Sequence, residues 1–329
     1  MLFTIFHPLV DFCSVAVLAM GGVSVERWLV YNALAFALQL PLGTVLDARP
    51  GWLRGLFVAG VALTVAGVAC AVAGGAAGVR ALGWGALAMA CVGNALFHLT
   101  AGAFVLERTP GCSGPIGLFI STGALGLMAG QMAVKGGWAW AVVPVAAALV
   151  AGAAMVGGAL RAPRKSTSKC MPSTSAGDTA GVRALSGWLV LGLFALVAWR
   201  SWAGLLATGM SSDAGLGFVL AGAAVTWAGK AAGGYAADAL QRRRRVPALA
   251  GTFAESISPR GLVTALSVAG SAALCFVCPP SQAAAWLVLL FIAQLATGPV
   301  LSLMYDAVGR RAGTAFGLNC LGLFLGGIA

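Results

Sequence analysis

The chain has 329 residues, of which 60% are hydrophobic and only 9% charged, and its mean hydropathy is +0.94. A soluble domain of that length needs far more polar surface. The formal net charge of +11 would point to nucleic acid in a soluble protein; in so apolar a chain it belongs to loops that meet anionic lipid headgroups, and no nucleic-acid partner is expected.

A helix crosses a bilayer with about 20 mainly apolar residues, and such runs recur here between short polar breaks. Eleven spans are predicted, near residues 1–20, 28–47, 54–77, 82–106, 115–134, 138–160, 187–208, 215–240, 262–278, 285–304 and 314–329. The fold class is all-α and polytopic. Nothing basic precedes the first run and no small-residue cleavage site follows it, so it is expected to remain as a span. It carries His7 and Asp11 in "FHPLVDF", four residues apart and so on one helix face. "GTVLDARPG" follows the second span, with Gly43, Asp47 and Arg49; the fourth contains "GNALFHLTAG", with His98 close to its middle.

Residues 161–186 form the longest polar segment, rich in Ser, Thr, Lys and Pro, and read as a cytoplasmic linker between an N-terminal bundle, 1–160, and a C-terminal one, 187–329. Arg200 lies in the seventh span between Trp199 and Trp202, Lys230 in "AGKAAGG" of the eighth, and "GGYAADALQRRRR" closes that span with Gly234 and Asp238. Gln294 falls in the tenth. The eight cysteines show no paired metal-ligand spacing; "CFVC" at 275–278 reads as two residues packed on one helix face. No metal and no cofactor are expected.

Cytoplasmic loops retain Lys and Arg. With the N-terminus inside, those loops hold 15 of the 20 basic residues, including Arg49, Arg108, the linker, Arg242 to Arg245 and Arg310, while the outer loops keep Arg27, Arg80 and Lys135. This orientation places a multi-pass chain in the cytoplasmic membrane, its N-terminus cytoplasmic.

The two bundles repeat. A slide of 196 lays "GLFISTGALGLMAG" over "GTAFGLNCLGLFLG", pairs Gly102 with Gly298 and sets His98 on Gln294; a slide of 191 sets Gly43 and Asp47 on Gly234 and Asp238. Bundles of six and five spans, a cytoplasmic linker and a Gly-x-x-x-Asp motif after the second helix of each bundle resemble the major facilitator superfamily, whose members pair two six-helix halves. Ala48 and Ala239 stand where that motif is usually basic. "FHPLVDF" and "GNALFHLTAG" look like the first and fourth helices of the fosmidomycin-resistance type of efflux permease, although Leu99 replaces the usual Pro and the fifth span lacks the Gly-Pro signature of drug antiporters. The resemblance implies twelve helices, of which the last is not found, and a central cavity lined by the first, fourth, seventh and tenth.

An ionisable side chain at bilayer depth costs about 2.5–3.5 kcal/mol on insertion scales and persists where it faces a partner or a wet cavity. Asp11, His98, Arg200 and Gln294 fall on the four cavity helices, so with His7 they are the candidates for the substrate or proton pathway. His98 or the His7–Asp11 pair suits a proton carrier; Arg200 stays protonated and suits a carboxylate or phosphate, or Asp11 itself. Gly43, Asp47, Arg49, Lys230, Gly234 and Asp238 are the candidates for a conformational gate. The expected function is secondary transport of a small solute by alternating access, proton-coupled, as antiporter or symporter and in the efflux direction, by a monomer. The alternative is a non-transporting sensor or assembly partner on the same fold. An enzyme is not expected, because no His-Glu-x-x-His, Gly-x-Ser-x-Gly or nucleotide-binding loop is present.

Overall fold

The computed structural model describes residues 2–78, 80–160, 181–209, 215–243, 258–277 and 283–328. Most of the linker (161–180), Arg244 and Arg245, and Cys278 lie outside them. The described chain is helical throughout, as a bilayer requires of backbone that has no water to bond.

α1 is Leu2–Met20. The second span runs as α2 (Val25–Asn32), a π-turn (Ala33–Ala37) and α3 (Gln39–Ala48). Then come α4 (Leu53–Ala77), α5 (Arg80–Arg108), α6 (Gly114–Lys135) and α7 (Val142–Ala159). The second half holds α8 (Gly181–Gly209), α9 (Gly215–Arg243), α10 (Pro259–Val277), α11 (Ala283–Gln294), α12 (Thr297–Ala307) and α13 (Ala312–Ile328).

Each of the eleven predicted spans finds its helical segment. Nine of these segments, as described, are long and apolar enough to cross a membrane. α13 is apolar but has only 17 residues, and α9 is diluted by glycine, Lys230 and Asp238. Two spans are irregular in ways that periodicity did not indicate. In the second, Leu38 N bonds Ala33 O at 3.0 Å, and the carbonyl of Ala35 inside this π-turn takes the Gln39 amide at 2.6 Å. The tenth breaks between Gln294 and Thr297, just before Pro299, whose missing N–H leaves the carbonyl of Leu295 without its helical donor. α8 starts inside the stretch read as linker.

Close helix contacts follow the repeated glycines. A Cβ at Gly126 or Gly130 of α6 would strike the carbonyls of Pro8 and Phe12 on α1; at Gly322 or Gly326 of α13 it would meet Val197 and the carbonyl of Ala198 on α8. Across the halves, Gly117 of α6 abuts the Lys230 carbonyl of α9, and Gly313 of α13 abuts the Gly43 carbonyl of α3. The residues that superpose under the 196 slide thus make equivalent contacts: α6 rests on α1 and α9 as α13 rests on α8 and α3. Gly102 receives the Phe316 ring, and Gly298 packs against Gly117 and Gly234. Gly43, Gly102, Gly234 and Gly298 all lie where the halves touch.

Candidate functional site

His7, Asp11 and Ser14 share one face of α1, Asn94 and His98 one face of α5, and these faces meet against α6. Asp11 Oδ2 lies 3.1 Å from His7 Nε2, and Asp11 Oδ1 lies 3.4 Å from His98 Nε2. The two Nε2 atoms are 2.5 Å apart. Asn94 Nδ2 donates to Asp11 Oδ1 at 2.9 Å and to Ser14 Oγ at 3.2 Å. The His7 ring stacks on Phe119, with centroids 4.5 Å apart. Gly123 makes the room: a Cβ there would run into both the Asp11 carboxylate and the His7 ring. The side chains of His7, Asp11 and His98 are buried in protein, so His7 does not reach for headgroups.

The outer nitrogens fix the chemistry. His7 Nδ1 bonds the carbonyl of Phe119 at 2.5 Å, beside the Thr122 hydroxyl, and His98 Nδ1 bonds the carbonyl of Asn94 at 2.8 Å. A carbonyl only accepts, so both Nδ1 atoms carry hydrogen, and in neutral rings both Nε2 atoms present lone pairs. Two lone pairs and a carboxylate then face one another. Such an arrangement calls for a cation between them.

In the second half Arg200, 5% exposed, reaches from α8 into the break of the tenth span. Its Nη1 donates to Gln294 Oε1 at 3.0 Å and Thr297 Oγ1 at 2.5 Å. It does not snorkel outward past its tryptophans: Trp199 donates to Ser271 Oγ at 3.2 Å and packs on Trp202. Arg200 forms no ion pair with Asp11 among the described residues. Lys230 of α9 is electrostatically coupled to both sets. Its ammonium feels the charges of Arg200, Asp11 and His98, and it makes no hydrogen bond or ion pair among the described residues.

The gate candidates divide. Asp47 accepts from Gly313 N (2.8 Å), Thr314 N (2.7 Å) and Thr314 Oγ1 (2.6 Å), capping α13. Asp238 accepts from Ser113 N (2.7 Å) and Gly114 N (2.9 Å), capping α6. Gly43 and Gly234, one turn before each aspartate, let the helices approach closely enough. Arg49 is not part of this arrangement; it is exposed and lies over the Trp52 ring, 4.6 Å from its centroid.

Sequence reasoning missed Asn94, Thr122, Gly123 and Thr297. Asn94 was available in "GNALFHLTAG", one turn before His98. The group of His7, Asp11 and His98, with ligand atoms within 4.8 Å of one another, is also the one among the described residues able to hold a metal ion.

No family model and no curated protein matches the sequence. Solved structures do. The E. coli fucose:proton symporter is 13% identical, with 99% of this chain and 88% of that one covered and a TM-score of 0.64. A bacterial homologue of the iron transporter ferroportin, in its outward-facing state, is 14% identical over 99% and 89%, with a TM-score of 0.60. The proton:xylose symporter bound to 6-bromo-6-deoxy-D-glucose is 15% identical over 99% and 86%, with a TM-score of 0.53. At these identities the likeness is one of fold. The chain has the fold of the major facilitator superfamily transporters.

Proposed function

We propose that the protein is a secondary active transporter that moves a small solute across the cytoplasmic membrane by alternating access, its halves being residues 1–160 and 187–329 joined by the linker 161–186. The observation that carries this reading is the division of charge at the centre of the fold. The first half holds the His7–Asp11–His98 cluster, which needs one cation, and the second holds Arg200 and Lys230, two cations that make no ion pair among the described residues. Protons load the histidine cluster. Arg200 and Lys230 receive a carboxylate or phosphate of the solute, and Gln294 holds Arg200 in place.

In this reading the two aspartate caps hold the cytoplasmic end shut, as an outward-facing transporter requires. The fucose symporter is also found in an outward conformation, and the ferroportin homologue in an outward-facing state. A Lys or Arg-rich cytoplasmic face holds the chain in the membrane, N-terminus inside, and it works as a monomer.

The test is uptake by proteoliposomes under an imposed pH gradient, using a panel of labelled anionic and neutral solutes of similar size. Gradient-driven accumulation of an anionic member is expected. Accumulation of neutral members alone would remove the role given to Arg200. If none accumulates under either polarity of the gradient, the sensor reading takes its place.

A further inference from the structure

The histidine cluster has one property that proton exchange leaves unused. Three acceptor groups, His7 Nε2, His98 Nε2 and the Asp11 carboxylate, converge on one buried point: Oδ2 faces His7, and Oδ1 faces His98 while also taking the Asn94 amide. A proton between the two imidazoles satisfies that pair alone.

We propose that this centre binds a divalent transition-metal ion of the zinc class, with His7 Nε2, His98 Nε2 and an Asp11 carboxylate oxygen as its three protein ligands. Two imidazoles and a carboxylate are a donor set that zinc accepts. The outer contacts match what orients metal ligands elsewhere: each Nδ1–H is held by a backbone carbonyl, and the carboxylate is oriented by the Asn94 amide on Oδ1. Tetrahedral bonds of about 2.0–2.1 Å require ligand atoms roughly 3.3 Å apart. His7 Nε2 stands 3.1 Å from Oδ2 and His98 Nε2 3.4 Å from Oδ1 of the same carboxylate, so each imidazole is already at that length from one of its oxygens, and a turn of the carboxylate brings a single oxygen to both. The remaining separation, 2.5 Å between the imidazoles, opens by rotation of the side chains as an ion enters. Three protein ligands leave a fourth position open, as in sites whose metal exchanges or reacts.

The ligand set escaped the sequence reading because it has no spacing along the chain: it joins α1 to α5. The inference rests on the transport reading only for its consequence, that metal and coupling protons compete for one centre.

Co2+ reports such a site directly through the visible absorption bands of its tetrahedral complexes. The full chain in detergent, titrated with Co2+, is expected to develop these bands to one equivalent per chain. His7→Gln and His98→Gln should each abolish them. His98→Cys, which keeps a ligand at the same place, should retain binding and add a thiolate-to-metal charge-transfer band, and this separates loss of a ligand from loss of fold. Absence of tetrahedral bands in the wild type, or their survival in both glutamine variants, overturns the inference. Gradient-driven uptake in chelator-treated proteoliposomes keeps the two readings apart. Uptake without Co2+ binding removes the metal and leaves the transporter; binding without uptake removes the transporter and leaves the metal.

Discussion

Asp47 and Asp238 are reciprocal caps: each leaves its own half and closes the N-terminus of a helix in the other, Asp47 on α13 and Asp238 on α6. A carboxylate there is favoured twice, by the unpaired N–H groups and by the helix dipole, together worth about 1 kcal/mol. Asp47→Asn keeps an acceptor oxygen but loses the charge and turns an amide toward the same N–H groups. The variant is expected to insert normally and to transport more slowly, with cysteines placed along α3 and α13 labelled faster from the cytoplasmic side. A normally inserted variant with an unaltered rate would show that this contact does not govern the cycle.

His98→Ala and Asp11→Asn should each abolish pH-driven accumulation while solute exchange without a gradient survives, because exchange needs the binding site and the conformational change but no net proton movement. Arg200→Ala should lose both modes, since it removes the guanidinium held by Gln294 and Thr297 and leaves the solute without its countercharge. Gel filtration in detergent must first show each variant to be monodisperse. Full pH-driven transport by a folded His98→Ala would move the coupling site to His7 and Asp11 alone.

Gly123 and Gly85 make a matched pair for stability. Alanine at 123 forces its Cβ into the Asp11 carboxylate and the His7 ring, an overpacking that costs about 1–3 kcal/mol. Alanine at 85 meets open space in the helical interior of α5, where replacing glycine gains about 0.5–1 kcal/mol. Thermal unfolding in detergent should therefore move Tm down for Gly123→Ala and up for Gly85→Ala. Equal melting of the two would contradict the packing described for α1 and α6.

Orientation is open to cysteine-accessibility labelling. Single cysteines within residues 161–183 or at 242–245 should react only when the cytoplasmic face is exposed, in inverted vesicles or permeabilised cells. Reaction in intact cells with an impermeant reagent would invert the topology inferred from the basic residues.

Span positions were legible because apolar length is imposed by the solvent, and the two halves because close helix contacts require glycine at repeated positions: Gly126 and Gly130 in one, Gly322 and Gly326 in the other. The break before Thr297 was visible as "TGP" and went unread. The partners of His98 were a different matter. Sequence set His98 apart from the His7–Asp11 pair as an alternative proton carrier, whereas in the structure it meets both residues. Helical period tells which residues share a face but not how that face is rotated toward its neighbours. The decisive acceptors, the carbonyls of Phe119 and Asn94, are backbone atoms and carry no signature in residue type. Arg200 was given Asp11 as a resting partner; it takes Gln294 and Thr297 instead, a choice made available only by the broken tenth span.

The reciprocity of the caps has an arithmetic consequence. In the proposed transport cycle both must release for the halves to part at that end, so their free energies add within a single equilibrium between two populations. One contact of about 1 kcal/mol biases that ratio about fivefold, and two bias it about thirtyfold. A chain lacking one aspartate therefore sits partway, on a logarithmic scale, between the intact protein and one lacking both. The pair acts as a graded bias, set in two equal steps, and not as a latch that is either shut or lost.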